Sequence, residues 1–247
     1  DGTLLAQAGR MNPQARWGAD VITRIGAALD GEADALAQSV RQGINELLES
    51  MAAQADIPAA DIDALVITGN TAMLYLLTGT NPDALSHAPF EADRLFGERL
   101  TGQQLDLCCA KATVYLPRCF SSFVGADTAT ALLASDILER GGIRLMADIG
   151  TNGEIALWDG QRLLCCSTAA GPAFEGAGLS MGMPGRDGAV DHVSVQNGTL
   201  KAHVLGDGEA VGICGSGVVD ALACLLEIDQ MDETGLLDPE PAVICRP

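Results

Sequence analysis

Between residues 33 and 55 apolar side chains recur at helical spacing. Leu36, Val40, Ile44, Leu47, Leu48 and Met51 share one face, which predicts an amphipathic helix lying on a sheet. Its predicted partner is the run Ala64-Leu65-Val66-Ile67-Thr68, a short, continuously apolar strand of the buried parallel kind. Gly69-Asn70-Thr71 then turns into a second helix, Ala72 to Leu77. From 80 to 106 the pattern is polar and broken by Asn81-Pro82 and Ala88-Pro89, with room for one short helix around Asp93 to Leu100. A strand near Ala112 to Leu116 ends at Pro117. Phe120 to Gly125 leads into a helix from Asp127 to Glu139, which Gly141-Gly142 stops.

The pattern next turns to alternation. Arg144 to Ile149 reads as a strand, Gly150-Thr151-Asn152-Gly153 as a tight turn and Glu154 to Trp158 as a returning strand. Asp159-Gly160 signals a hairpin into a third strand, Arg162 to Ser167. A glycine-rich stretch from Ala169 to Gly188 precedes a second meander around Asn197-Gly198. This order predicts an α/β protein with a lobe boundary at Gly141-Gly142: residues 1–141 belong to a first lobe and 142–247 to a second. Val124 to Leu133 also echoes Cys214 to Ala223, each placing small residues ahead of an Ala/Leu-rich helix. Duplication and chance both produce such an echo.

Composition narrows the partners. The 247 residues are 48% hydrophobic but only 4% aromatic, which predicts a core of small aliphatic side chains. With a net charge of -19, and Lys111 and Lys201 as the only lysines, the surface repels nucleic acid and anionic membranes. No run approaches the roughly 18 apolar residues of a membrane span, and no basic leader opens the chain, so a soluble, cytoplasmic protein is expected. The eight cysteines form no C-x-x-C pair and read as reduced, buried, structural thiols, with adventitious metal or redox chemistry as the alternative. His87, His192 and His203 are dispersed and read as surface residues. The chain opens on Asp1 and ends at Val243-Ile244-Cys245-Arg246-Pro247 without a closing helix or strand, which predicts a piece of a longer protein.

Chemistry concentrates at Asp148-Ile149-Gly150-Thr151-Asn152-Gly153-Glu154. An acid at a strand end beside a glycine turn sets a carboxylate next to exposed backbone N–H groups. Those amides suit phosphate oxygens, and the carboxylate suits a hydrated Mg²⁺ that bridges them. An ordinary β-turn has the same residue pattern. Ser167 to Pro172, with Gly171, and Ile213-Cys214-Gly215-Ser216-Gly217 are two further small-residue segments after strands, where backbone can approach a ligand closely. No P-loop motif is present.

Taken together, Asn12-Pro13-Gln14, Gly18 to Ile25, Thr68 to Met73, Phe123 to Thr128, the Asp148 to Glu154 hairpin, Ser167 to Gly178 and Ile213 to Gly217 resemble the C-terminal ATPase region of the reductive activators of corrinoid proteins. The resemblance runs over nearly the whole chain. It implies an actin-like, ribonuclease H-like ATPase of the ASKHA class, in which two lobes with mixed sheets flanked by helices clasp Mg-ATP. By that resemblance Asp148 holds Mg²⁺ through water, and Gly150, Thr151, Asn152 and Gly153 face the phosphates. Asp127, at the start of the helix joining the lobes, orients the attacking water or serves as a helix N-cap. Glu175 lines the cleft or is a loop acid; Asn70 and Asp20 have no role readable from the sequence. A first phosphate hairpin is expected before Asp1 and a glycine-rich adenosine motif beyond Pro247. The 2Fe–2S domain belongs to the parent protein and not to this chain, which alone should bind nucleotide weakly or not at all.

The function so implied is ATP-dependent reduction of Co(II) to Co(I) in a corrinoid protein or corrinoid-dependent methyltransferase, by a homodimer. A small-molecule kinase on the same scaffold, with Asp127 as its base, and a nucleotide-free interaction module are the competing readings.

Overall fold

A computed structural model of the chain describes residues 2–18, 20–150, 152–169 and 179–237. Contacts group the chain into two compact units, Asp1–Met146 with Ala156–Cys166 and Ala147–Ile155 with Ser167–Pro247.

In the first unit, α1 (Val21–Ala27) starts at Asp20, whose carboxylate accepts from the Thr23 amide at 2.8 Å and the Thr23 hydroxyl at 2.7 Å. Those bonds hold the Asp20 carboxyl below its usual range. The predicted amphipathic helix forms as α2 (Ala33–Gln54), burying Leu36, Ala37, Leu48 and Ala52. A parallel pairing joins β1 (Ala64–Val66) to β3 (Thr113–Leu116), and β2 (Glu98–Thr101) runs antiparallel on the other side of β3, in the order β1-β3-β2. Between β1 and β2 lies α3 (Thr71–Thr78), closed by Gly79 in the left-handed conformation. Leu74, Tyr75, Leu105, Val114, Leu116 and Cys119 form the center of the core.

The structure departs from three of the expected elements. Residues on a strand alternate between faces, and only Leu65 of β1 packs on the core, leaving Ala64 and Val66 exposed; β1 is parallel but not buried on both sides. No helix forms at 93–100, because Phe96 (φ 57°) and Gly97 (φ 81°) take left-handed backbone and residues 98–101 pair as β2. The helix expected to reach Glu139 is α4 (Ala126–Ala134), and the left-handed Asp136 (φ 53°) diverts the chain before Gly141-Gly142.

A middle sheet of β4 (Arg144–Ile149), β5 (Asn152–Trp158) and β6 (Leu163–Ala169) has the order β4-β5-β6 and contributes residues to both units. β5 begins at Asn152, two residues ahead of the expected Glu154. In the second unit β7 (Ala189–Gln196) and β8 (Thr199–Val204) are antiparallel. Asn197 (φ 52°) and Gly198 (φ 71°) supply the two positive φ angles that a two-residue hairpin needs. β9 (Gly212–Ile213) pairs in parallel with the start of β7, and α5 (Gly215–Glu227) packs Ala221 and Cys224 on Val190, Val193, Leu200 and Ala202. Among the described residues no helix is long and apolar enough to cross a membrane.

Candidate functional site

Asp127 lies half-buried in the first turn of α4. The N-cap of that helix is Gly125, and no side chain caps it. Its first two amides, Ala126 and Asp127, donate instead to the Gly69 carbonyl at 3.0 and 3.2 Å. The Asp127 carboxylate accepts from the adjacent Thr128 amide at 2.8 Å, so Asp127 is not the helix N-cap. The approach of the two segments requires glycine: a Cβ on Gly125 would lie 2.5 Å from Asn70 Cα and 2.9 Å from the Gly69 oxygen. Asn70 caps α3, its Oδ1 accepting from the Met73 amide at 2.9 Å. Next to it the buried Thr71 hydroxyl donates to the Ser121 carbonyl at 2.6 Å, and the Thr68 and Thr130 hydroxyls lie 3.2 Å apart. Burial pushes the Cys119 thiol up, against hydrogen bonds from Thr71 and the Ala126 amide, and nearby Asp127 adds to the rise.

In the second unit Asp148 is exposed at the end of β4. The following turn closes with the Gly150 amide donating to the Asn152 carbonyl at 2.9 Å. Among the described residues a Cβ on Gly150 would meet only the Asn152 oxygen, at 3.8 Å, which leaves space beside the glycine. Gly153 is buried, with Thr168 Cγ2 at 3.3 Å from its Cβ position, and Ser167 donates to Glu154 at 3.0 Å. An exposed carboxylate beside a glycine turn fits a hydrated divalent cation and phosphate oxygens. Thr151, Gly171 and Glu175 lie outside the described residues.

Gly215, Ser216 and Gly217 form the first turn of α5 after the N-cap Cys214. Gly215 and Gly217 are buried and Ser216 is exposed, donating to the Asp191 carbonyl at 2.8 Å. A Cβ on Gly217 would fall 2.2 Å from the Val190 oxygen, so this glycine lets α5 close on β7. The structure thus gathers Asp127 with Asn70 in one unit. In the other, Asp148, Gly150, Asn152 and Gly153 share a hairpin, and Gly215 to Gly217 share a helix start.

Sequence reasoning missed the grip of Thr68, Thr71 and Thr130, for which hydroxyls one to five residues from a glycine give no distinctive pattern. It also read the histidines as dispersed. All three are exposed, but His192 and His203 are direct cross-strand partners. The Nδ1 of His192 meets Asp220 on α5, and that of His203 meets Asp191 at 2.6 Å. Their equal spacing from Asn197-Gly198 was the available signal, because a two-residue turn fixes register. All seven described cysteines are free thiols, but the expected burial holds only for Cys109, Cys119, Cys214 and Cys224. Cys108 is half-buried; in β6, where neighbours along the strand face opposite sides, Cys165 is half-buried and Cys166 exposed. Burial raises Cys108, Cys119, Cys165 and Cys224 above the usual thiol range. Among the described residues no three His, Cys, Asp or Glu side chains gather to hold a metal ion.

Residues 1–140 match the RACo middle region, and residues 142–244 match the C-terminal domain of RACo, the ASKHA domain. The chain is 38% identical over 227 residues to the corrinoid activation enzyme RamQ of Eubacterium limosum, an alignment covering 91% of this chain and 38% of that protein. It is 29% identical over 216 residues to the Co(II) methylated amine-specific corrinoid protein reductase of Methanosarcina barkeri, covering 74% of this chain and 40% of the relative. The chain therefore spans 38% and 40% of the lengths of these two curated relatives. A solved structure of a reductive activator for corrinoid, iron-sulfur protein superposes with a TM-score of 0.85 at 33% identity, covering 96% of this chain and 38% of that one. The mixed α/β architecture is thus the actin-like ASKHA fold, and the chain belongs to the RACo family of reductive activators of corrinoid proteins.

Proposed function

We propose that this chain is the Mg-ATP-binding and hydrolysing region of a protein that reduces the corrinoid of a partner from Co(II) to Co(I). The observation that carries this reading is the match to the E. limosum corrinoid activation enzyme across 91% of the chain at 38% identity. We assign residues 1–141 to the first ATPase lobe and 142–247 to the second. The full-length protein acts in the cytoplasm as a homodimer on a corrinoid protein or a corrinoid-dependent methyltransferase.

The exposed Asp148 carboxylate would hold a hydrated Mg²⁺, and Gly150, Thr151, Asn152 and Gly153 would face the phosphate oxygens. Bound Mg²⁺ supplies neutralisation of phosphate charge. Gly171, Gly215, Ser216 and Gly217 admit the nucleotide close to backbone. Asp127 accepts a hydrogen bond from the attacking water and orients it, so that ATP and water yield ADP and phosphate. A 2Fe–2S cluster elsewhere in the full-length protein would supply the electron, one per cobalt. Nucleotide binding favours one lobe arrangement only by its differential affinity for the two.

The test is ATP hydrolysis by the full-length protein, alone and with a Co(II) corrinoid protein, for wild type and Asp148→Ala. The expected result is stimulation by the corrinoid protein and a loss of about 100-fold or more in the variant. Hydrolysis indifferent to both would return the function to open.

A further inference from the structure

Four consecutive residues after β1 grip the segment that carries Asp127. Thr68 meets Thr130 at 3.2 Å, the Gly69 carbonyl takes the Ala126 and Asp127 amides, Asn70 Cα abuts Gly125, and Thr71 donates to Ser121 at 2.6 Å. Two helix starts are thereby served by one peptide unit. The carbonyl of the Gly69–Asn70 peptide caps α4 from outside, and the Asn70 side chain that follows it caps α3. With Oδ1 on the Met73 amide, Asn70 is fixed at φ -66° and ψ 164°, and this sets the direction in which the Gly69 carbonyl points. No side chain caps α4, so its first turn takes its register from that borrowed carbonyl.

We propose that Asn70 is a positioning residue for Asp127: its cap on α3 aims the Gly69 carbonyl, which in turn fixes the first turn of α4 and the carboxylate it bears. This rests on the reading of Asp127 as the group that orients the attacking water. Asn70 touches neither nucleotide nor water in this account and acts through the peptide before it. Releasing the cap lets that peptide rotate, and a displacement of about 1 Å at a catalytic group costs on the order of 100-fold in rate.

The experiment compares kcat and KM for ATP in the full-length protein for Asn70→Ala, Asn70→Asp, Asp20→Ala and Asp127→Asn, alongside thermal unfolding. Asp20→Ala is the structural control, because it deletes an N-cap of the same kind, the 2.8 Å bond to the Thr23 amide, elsewhere in the same unit. Both Ala variants should lower Tm by about 2–4 °C. Only Asn70→Ala should lower kcat, by about tenfold or more, with KM within about twofold. Asn70→Asp, whose carboxylate accepts the same amide, should restore kcat. The proposal fails if Asn70→Ala keeps its kcat, or if Asp20→Ala loses as much. If Asp127→Asn hydrolyses ATP at the wild-type rate, the underlying reading of Asp127 falls and the proposal with it. An inactive Asp127→Asn beside a fully active Asn70→Ala overturns the positioning role alone.

Discussion

The starts of α4 and α5 look alike in sequence, yet they are held by different chemistry. Each follows an N-cap whose side chain makes no capping bond to a helix amide, Gly125 and Cys214. Each presses a buried glycine against foreign backbone, Gly125 against Asn70 Cα at 2.5 Å and Gly217 against the Val190 oxygen at 2.2 Å, measured from the Cβ each lacks. What binds them differs. Around α4 and the segment leading into it the partners are a carbonyl and hydroxyls, from Gly69, Thr68 and Thr71. Around α5 they include carboxylates: Asp220 accepts from the Val193 amide at 3.2 Å and pairs with His192, while Asp191 pairs with His203 and offers its carbonyl to Ser216. A run of small residues before a helix therefore specifies close approach, and the residues across the contact decide whether the grip can titrate.

The largest effect should come from filling the closest approach. In Gly217→Ala the new methyl meets a carbonyl of β7, the middle strand of the order β8-β7-β9, which cannot swing aside as a flexible side chain would. Overpacking of this kind costs about 1–3 kcal/mol, read as a fall in the urea midpoint. Gly125→Ala should match it, since its obstacle is also backbone. Gly26→Ala is the opposite case: among the described residues nothing beyond its own helix lies within 4 Å of its Cβ position in α1, so the substitution should stabilise by about 0.5–1 kcal/mol. A Gly217→Ala protein as stable as wild type would show that the two glycines are not equivalent.

Much of this was legible beforehand, for identifiable reasons. The period of Leu36 to Met51 marked α2, and Asn197-Gly198 marked the β7–β8 hairpin, because both signals are local. Asp148 and its glycine turn were found where strand alternation placed them. What failed depended on partners distant in the chain. The exposure of Val66 follows from which face the core occupies, and the conversion of residues 98–101 to β2 follows from pairing with β3. Asp127 could be read as a cap because Gly69, which supplies the actual acceptor, lies far back in the sequence.

A middle-sized effect separates the hydroxyls. Thr71 is fully buried, and Thr71→Val leaves the Ser121 carbonyl without its donor, a loss of about 1–3 kcal/mol. Ser216 is exposed, so after Ser216→Ala water can replace the bond to the Asp191 carbonyl and the cost should stay below about 1 kcal/mol. Equal shifts in the urea midpoint would mean that burial does not distinguish the two grips.

The smallest effect is the most specific to the contrast. The His203 bond, with smaller help from the charges of His203 and His192, holds the Asp191 carboxyl below its usual range against a slight opposing effect of burial. A carboxyl depressed in the folded state adds stability that is present above its unfolded value of about 3.9 and is lost as pH falls through the folded value. Amides early in α5 should therefore lose hydrogen-exchange protection below about pH 4, after correction for intrinsic rates, while the Ala126 and Asp127 amides of α4 hold, because the Gly69 carbonyl that accepts them does not titrate there. Both His203 and Asp191 reach solvent, so added salt should shrink the difference and Asp191→Asn should remove it. Simultaneous loss in α4 and α5 would mean that acid acts on the protein's overall charge and not on this pair.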